Sequence, residues 1–225
     1  MRLRTTTAAA LLLTGLSSTA WAMQPLVTDG TYSNRGAFEA AAGALVVESF
    51  ETTAVRDRGL AAIVAPLLTV RTGDTPIGVL NTPDGFGGSP ADGLQYLSVY
   101  RESQAQGPVQ FQLAAPTQAF GFAMVDLGEV EGTLTLRTDT GTYAGGVVLA
   151  DFRSRLSSGN QQFFGITQAQ AFSSVWLTAS GLDDAYALDG VLLQAPVPEP
   201  DQLALLTLGL AGLAGMRALR RRTQC

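Results

Sequence analysis

The sequence predicts an all-β sandwich with one short helix near its start. Three observations point there: short runs of β-branched and aromatic residues recur at roughly regular spacing, Gly, Pro, Asp and Ser punctuate them, and no internal repeat is present. The missing repeat argues against propellers and β-helices. Taken in order, 34–42 reads as the helix, with Ser33 as its cap and Gly43 as its stop. Strands are expected at 45–50, 61–70 (interrupted by Pro66), 77–80, 94–100, 109–113, 119–125, 133–137, 142–150, 162–166, 174–179 and 186–193. Alternation is clearest in Leu134-Thr135-Leu136 and Val175-Trp176-Leu177-Thr178, where a period of two sends successive side chains to opposite faces. Thr138-Asp139-Thr140-Gly141 supplies a turn between two of the runs.

Composition excludes much chemistry. All 14 basic residues are Arg, and His is absent. No Ser-His-Asp triad, His-ligated zinc, P-loop or Schiff-base lysine can be assembled from such a chain. The one Cys, Cys225, lies in the last segment, so neither a disulfide nor a cysteine nucleophile is expected in the core. A core of this size stands without a disulfide.

Both ends read as targeting segments. Arg2 and Arg4 precede an apolar stretch, and Ala20-Trp21-Ala22 supplies a small-x-small cleavage pattern, so 1–22 is expected to be a cleaved signal peptide. At the other end Pro198-Glu199-Pro200 is followed by an apolar run at 203–216, Arg217, and then Arg220-Arg221-Arg222. This pattern predicts a single transmembrane helix at about 203–219, with its basic end 220–222 in the cytoplasm. The boundaries that follow are 1–22 for the signal, 23–195 for the exported domain and 196–225 for the tail.

The ending resembles the PEP-CTERM sorting signal: a Val197-Pro198-Glu199-Pro200 box, a hydrophobic helix and a basic cluster, in that order. The resemblance implies retention in the inner membrane of a Gram-negative bacterium, processing by an exosortase, and delivery to the cell surface or an exopolysaccharide matrix. Residues 23–197 hold 8 Arg against 17 acidic residues, a net charge near −9. So acidic a domain lacks the basic footprint that nucleic acid requires, and at low salt it should repel anionic polysaccharide unless divalent cations intervene.

The core segments are similar, in their order, to exported PEP-CTERM proteins with a jelly-roll, galactose-binding-like or concanavalin-like sandwich. The segments are Phe38 with Val47-Glu48-Ser49-Phe50-Glu51, the Gly-rich loop 85–93, Ala119-Phe120-Gly121-Phe122, Phe163-Phe164-Gly165-Ile166 and Tyr186 to Val191. That resemblance implies a jelly-roll-like sandwich with a structural Ca2+ between Glu51 or Glu48 and Asp189. A hard cation wants six to eight oxygens, which an acidic, His-free surface can offer. No other cofactor is suggested. Asp183, Asp184 and Asp84 also read as turn formers.

Three function classes remain. The leading one is a non-enzymatic surface or matrix protein that binds carbohydrate, with an exposed Trp or Tyr stacking on sugar rings and Asp84, Asp92 and Gln95 bonding hydroxyls. Trp176, the only Trp after the signal, sits in an alternating strand and reads as a core side chain rather than a platform. The alternatives are a structural adhesin without sugar binding and a glycosidase with paired carboxylates, for which no pair is marked by sequence. Regular Thr-rich repeats, which an ice-contacting plane would need, are absent.

Overall fold

The computed structural model describes residues 27–195 except 86–87, 101–106, 129–130, 154–155 and 181–184. The signal residues Ala20 and Ala22, the Val197–Pro200 box, the helix expected at 203–219, Arg217, Arg220, Arg221, Arg222, and the pair Asp183 and Asp184 lie outside the described residues. Among the described residues no helix is long and apolar enough to cross a membrane.

Among the described residues twelve strands and one α-helix follow one another: β1 (Gly30–Tyr32), α1 (Arg35–Ala42), β2 (Leu45–Glu48), β3 (Arg56–Leu60), β4 (Ala62–Val64), β5 (Leu68–Thr72), β6 (Ile77–Leu80), β7 (Tyr96–Tyr100), β8 (Val109–Val125), β9 (Gly132–Thr138), β10 (Val147–Phe152), β11 (Gln161–Ser180) and β12 (Ala185–Gln194). All pairings are antiparallel. Two strands are long enough to serve both layers of a sandwich. The first half of β8 pairs with β5 and its second half with β12; β11 pairs with β8 along both halves and adds β1 to its first half and β9 to its second. One layer therefore runs β4-β5-β8-β11-β9-β10, and the other runs β1-β11-β8-β12-β7-β6-β3, with β2 beside the end of β12.

The alternation expected of half-buried strands builds the core between these layers. Val70, Phe111, Val175 and Leu136 point inward from the first layer, and Phe120, Phe122, Met124, Leu97, Val99 and Ile77 from the second. Phe111, Phe120, Phe122 and Phe164 form a chain of ring contacts with centroids 5.5–5.9 Å apart. Spacings of that size suit tilted aromatic pairs.

Helix α1 covers part of the outer face of the second layer. Phe38, wholly buried, lies on two glycines paired across strands, Gly165 and Gly121. A Cβ at Gly121 would stand 2.8 Å from the Phe38 ring and one at Gly165 2.6 Å, so only glycine leaves room for the ring. Tyr32 and Phe163 complete the seat, with centroids 5.8 and 5.5 Å from Phe38.

Several sequence expectations are corrected here. The helix cap is Asn34, not Ser33: Asn34 is extended and its Oδ1 accepts the Ala37 N–H at 3.0 Å. The runs at 109–113 and 119–125 are one strand, and so are those at 162–166 and 174–179, because each crosses from one layer to the other at a corner. Pro116 falls in the β8 corner, where its missing N–H costs no ladder bond. Gln168 pins the β11 corner, its Nε2 donating to the carbonyls of Thr140 (3.1 Å) and Gln170 (2.6 Å). Residues Thr142–Gly145 form a 3-10 turn instead of starting a strand. The run at 61–70 splits at Pro66 into β4 and β5, while β1 and β3 arise where no strand is expected.

Candidate functional site

The acids singled out by sequence converge on the loop between β6 and β7. Glu51 Oε1 accepts the N–H groups of Leu94 (2.7 Å) and Gln95 (2.8 Å). Asp189 Oδ2 accepts those of Ala91 (2.9 Å) and Asp92 (2.8 Å), and its Oδ1 accepts that of Gly190 (2.6 Å). Asp84 is almost wholly buried, paired with Arg58 and bonded by the Gly88 N–H at 3.0 Å. Gly93 has a positive φ of 67° and lies against the Glu51 carboxylate, a position a side chain could not share. Tyr96 closes the loop from below, its hydroxyl 2.9 Å from Thr82 O and 3.1 Å from Gly88 O.

This arrangement is a backbone clamp. Glu48 behaves likewise at a neighbouring turn, accepting from Phe50 N at 2.9 Å and Leu67 N at 3.1 Å. Among the described residues no three side chains of metal-ligating type gather. Glu48, Glu51 and Asp189 are not part of any such group, and their bonded oxygens face backbone N–H groups. Asp92 is exposed, and Gln95 Nε2 donates to Glu51 O at 3.2 Å. Burial pushes the Asp189 carboxyl up to about 6 against the opposing pull of its three amide bonds. Burial, with the Asp84 charge adding to it, pushes the Tyr96 hydroxyl up to about 12.

The other outer face of the sandwich has a different character. The registers place Arg71 of β5, Gln110 of β8, Trp176 of β11 and Arg137 of β9 directly opposite one another, a single row across four strands. Their sequence neighbours Val70, Phe111 and Val175 fill the core, so the row points outward. Trp176 is half-buried and belongs to the outer face, which corrects the expectation that it is a core side chain. The signal was present in its own strand: Trp176 shares its parity with Ser174, Thr178 and Ser180, whereas Val175, Leu177 and Ala179 form the apolar parity.

The Arg137 guanidinium stacks on the Trp176 ring, 4.2 Å from its centroid. Trp176, Gln110 and Arg71 border an open groove of about 500 Å³ that is also lined by Ala61, Thr72 and Pro108. Adjacent rows are short and polar: Thr69, Gln112 and Ser174 on one side, joined by a Ser174 Oγ to Gln112 Oε1 bond of 2.9 Å, and Thr178 with Thr135 on the other. An aromatic plate, hydrogen-bonding amides and hydroxyls, and a guanidinium beside an open groove can hold a polar, flat-faced ligand.

No curated protein matches the sequence. Among solved structures, a cleaved adhesin domain of Lys-gingipain is similar at a TM-score of 0.42 and 14% identity, covering 68% of this chain and 99% of that one. A family 29 carbohydrate-binding module from Piromyces equi gives 0.42 and 9%, with 69% and 94% covered. Another cleaved adhesin domain of Lys-gingipain, from Porphyromonas gingivalis, gives 0.41 and 12%, with 69% and 100% covered. Scores and identities this low transfer no function. The informative match lies in the tail: residues 196–222 carry the PEP-CTERM protein-sorting motif.

Proposed function

We propose that this is an exported, non-enzymatic surface or matrix protein whose jelly-roll-like domain, residues 23–195, binds glycan on the outer face of β5, β8, β11 and β9. The observation that carries the reading is the row Arg71-Gln110-Trp176-Arg137 beside an open groove. Indole rings stack on the apolar faces of sugars, and amide and hydroxyl groups around them bond the equatorial hydroxyls. The sorting motif at 196–222 supports delivery to the surface. In this reading 1–22 is a signal peptide, 203–219 holds the precursor in the inner membrane of a Gram-negative cell, and an exosortase processes the tail. The polysaccharide of the surrounding matrix is then the natural ligand.

The test is a panel of soluble polysaccharides against the full chain in a detergent without a sugar headgroup, beside Trp176→Ala. The variant should lose at least about tenfold in affinity, the scale of a deleted aromatic contact. Its Tm should stay within a few degrees, because the ring lies outside the core. Silence of the unaltered protein across the panel would move the assignment to a structural adhesin.

A further inference from the structure

The row that holds Trp176 also carries two guanidinium groups, Arg71 and Arg137. Of the six arginines in the described residues, Arg35, Arg58 and Arg153 are ion-paired with Glu39, Asp84 and Asp151. Arg56, Arg71 and Arg137 have no carboxylate within salt-bridge distance among the described residues. Two of these three stand in one cross-strand row, on either side of the only Trp of the exported domain. In a domain with 17 acidic residues against 8 Arg, a surface guanidinium has many carboxylates to choose from. Asp74 is near the groove's end, and its carboxylate accepts the Gly107 N–H at 2.8 Å.

Resting on the glycan-binding reading above, we propose that the ligand is an acidic glycan whose uronic-acid carboxylate is bound by Arg71 while a sugar ring stacks on Trp176. A guanidinium presents paired N–H donors that match a carboxylate, and the pairing is charge-assisted. Arg71 and Trp176 are two strand spacings apart, about 10 Å, so one stacked residue and its acidic neighbour along a polymer reach both. Arg137, stacked on the ring, holds the plate and adds a second positive charge. The domain's net negative charge does not forbid this. At physiological salt the Debye length is about 8 Å, so distant acids are screened while contact pairs persist.

The experiment compares polygalacturonate with its carboxyl-reduced counterpart, binding each to the full chain at physiological salt in the presence of chelator. The expected result is at least tenfold tighter binding of the acidic polymer. Arg71→Gln should abolish that preference while keeping the affinity for the reduced polymer, and Trp176→Ala should weaken both. Equal affinity of the unaltered protein for the two polymers overturns the acidic specificity and leaves the glycan reading standing. An acidic preference that survives Arg71→Gln, or one that appears only when Ca2+ is restored, also overturns it. If the folded protein binds neither these nor any neutral polymer of the panel, the glycan reading itself falls.

Discussion

Asp189 interrupts the apolar strand β12, and both its oxygens are held by backbone amides of Ala91, Asp92 and Gly190. Replacing it by Asn turns one acceptor into a donor facing an N–H, so Asp189→Asn should lose about 1–3 kcal/mol of stability. The loss should depend on pH, and its sign follows from the raised pKa. Between about 6 and the ordinary carboxylate value of 3.8, the folded protein holds a proton that the unfolded chain has released. The contribution of Asp189 therefore grows as pH falls through 6, is complete below 3.8, and is lost as pH rises above 6. Asn cannot titrate. The gap in denaturation midpoint between wild type and Asp189→Asn should be wider at pH 4.5 than at pH 7.5, by on the order of 1 kcal/mol. An identical gap at both values would show that burial does not govern this carboxyl. Sequence could single out Asp189 because an acid in an apolar run is conspicuous. It could not supply Ala91 and Asp92, which lie nearly a hundred residues earlier in the chain.

At the scale of elements, short apolar runs are legible as strands and corners are not. The runs at 77–80, 94–100, 133–137 and 186–193 fall on β6, β7, β9 and β12, because short apolar runs bounded by Gly, Pro, Asp or Ser are a local property of the chain. In the sequence β8 and β11 present themselves as four separate runs. Exposed polar and small residues in their corners look the same as loop residues until two layers are available to be joined. Strand β3, Arg56–Leu60, escaped for another reason: at the edge of its layer it carries charge, as edge strands commonly do, and shows no apolar alternation. Helix α1 was legible, yet its role was not. Its stability depends on Phe38 in the notch made by Gly121 and Gly165. Phe38→Ala should lower stability by about 3–5 kcal/mol, read as a fall in denaturation midpoint at unchanged slope. Phe38→Leu, which refills part of the notch, should lose less.

At the scale of the whole molecule the chain combines a sorting tail with a sandwich of two unlike outer faces. On one face the layer is covered by α1 and by the clamped residues 88–95, with Tyr96, Val125 and Ala187 packed under the latter. The opposite face carries the arginine, glutamine and tryptophan row. Deleting 196–225 should leave a folded domain that is released into the medium instead of being retained with the cells, as measured by fractionation and by an unchanged melting temperature. Retention of the truncated protein at the wild-type level would separate its location from the tail. By itself the sequence determined what depends on neighbours along the chain: the all-β class, the helix, the sorting motif, and the exclusion of histidine, lysine and cysteine chemistry. Tertiary structure decided that Glu51, Asp84 and Asp189 hold a loop in place and that Arg71, Gln110, Trp176 and Arg137 meet. Those outcomes rest on register between strands far apart in the chain, and a shift of one residue in any of them would send the row into the core.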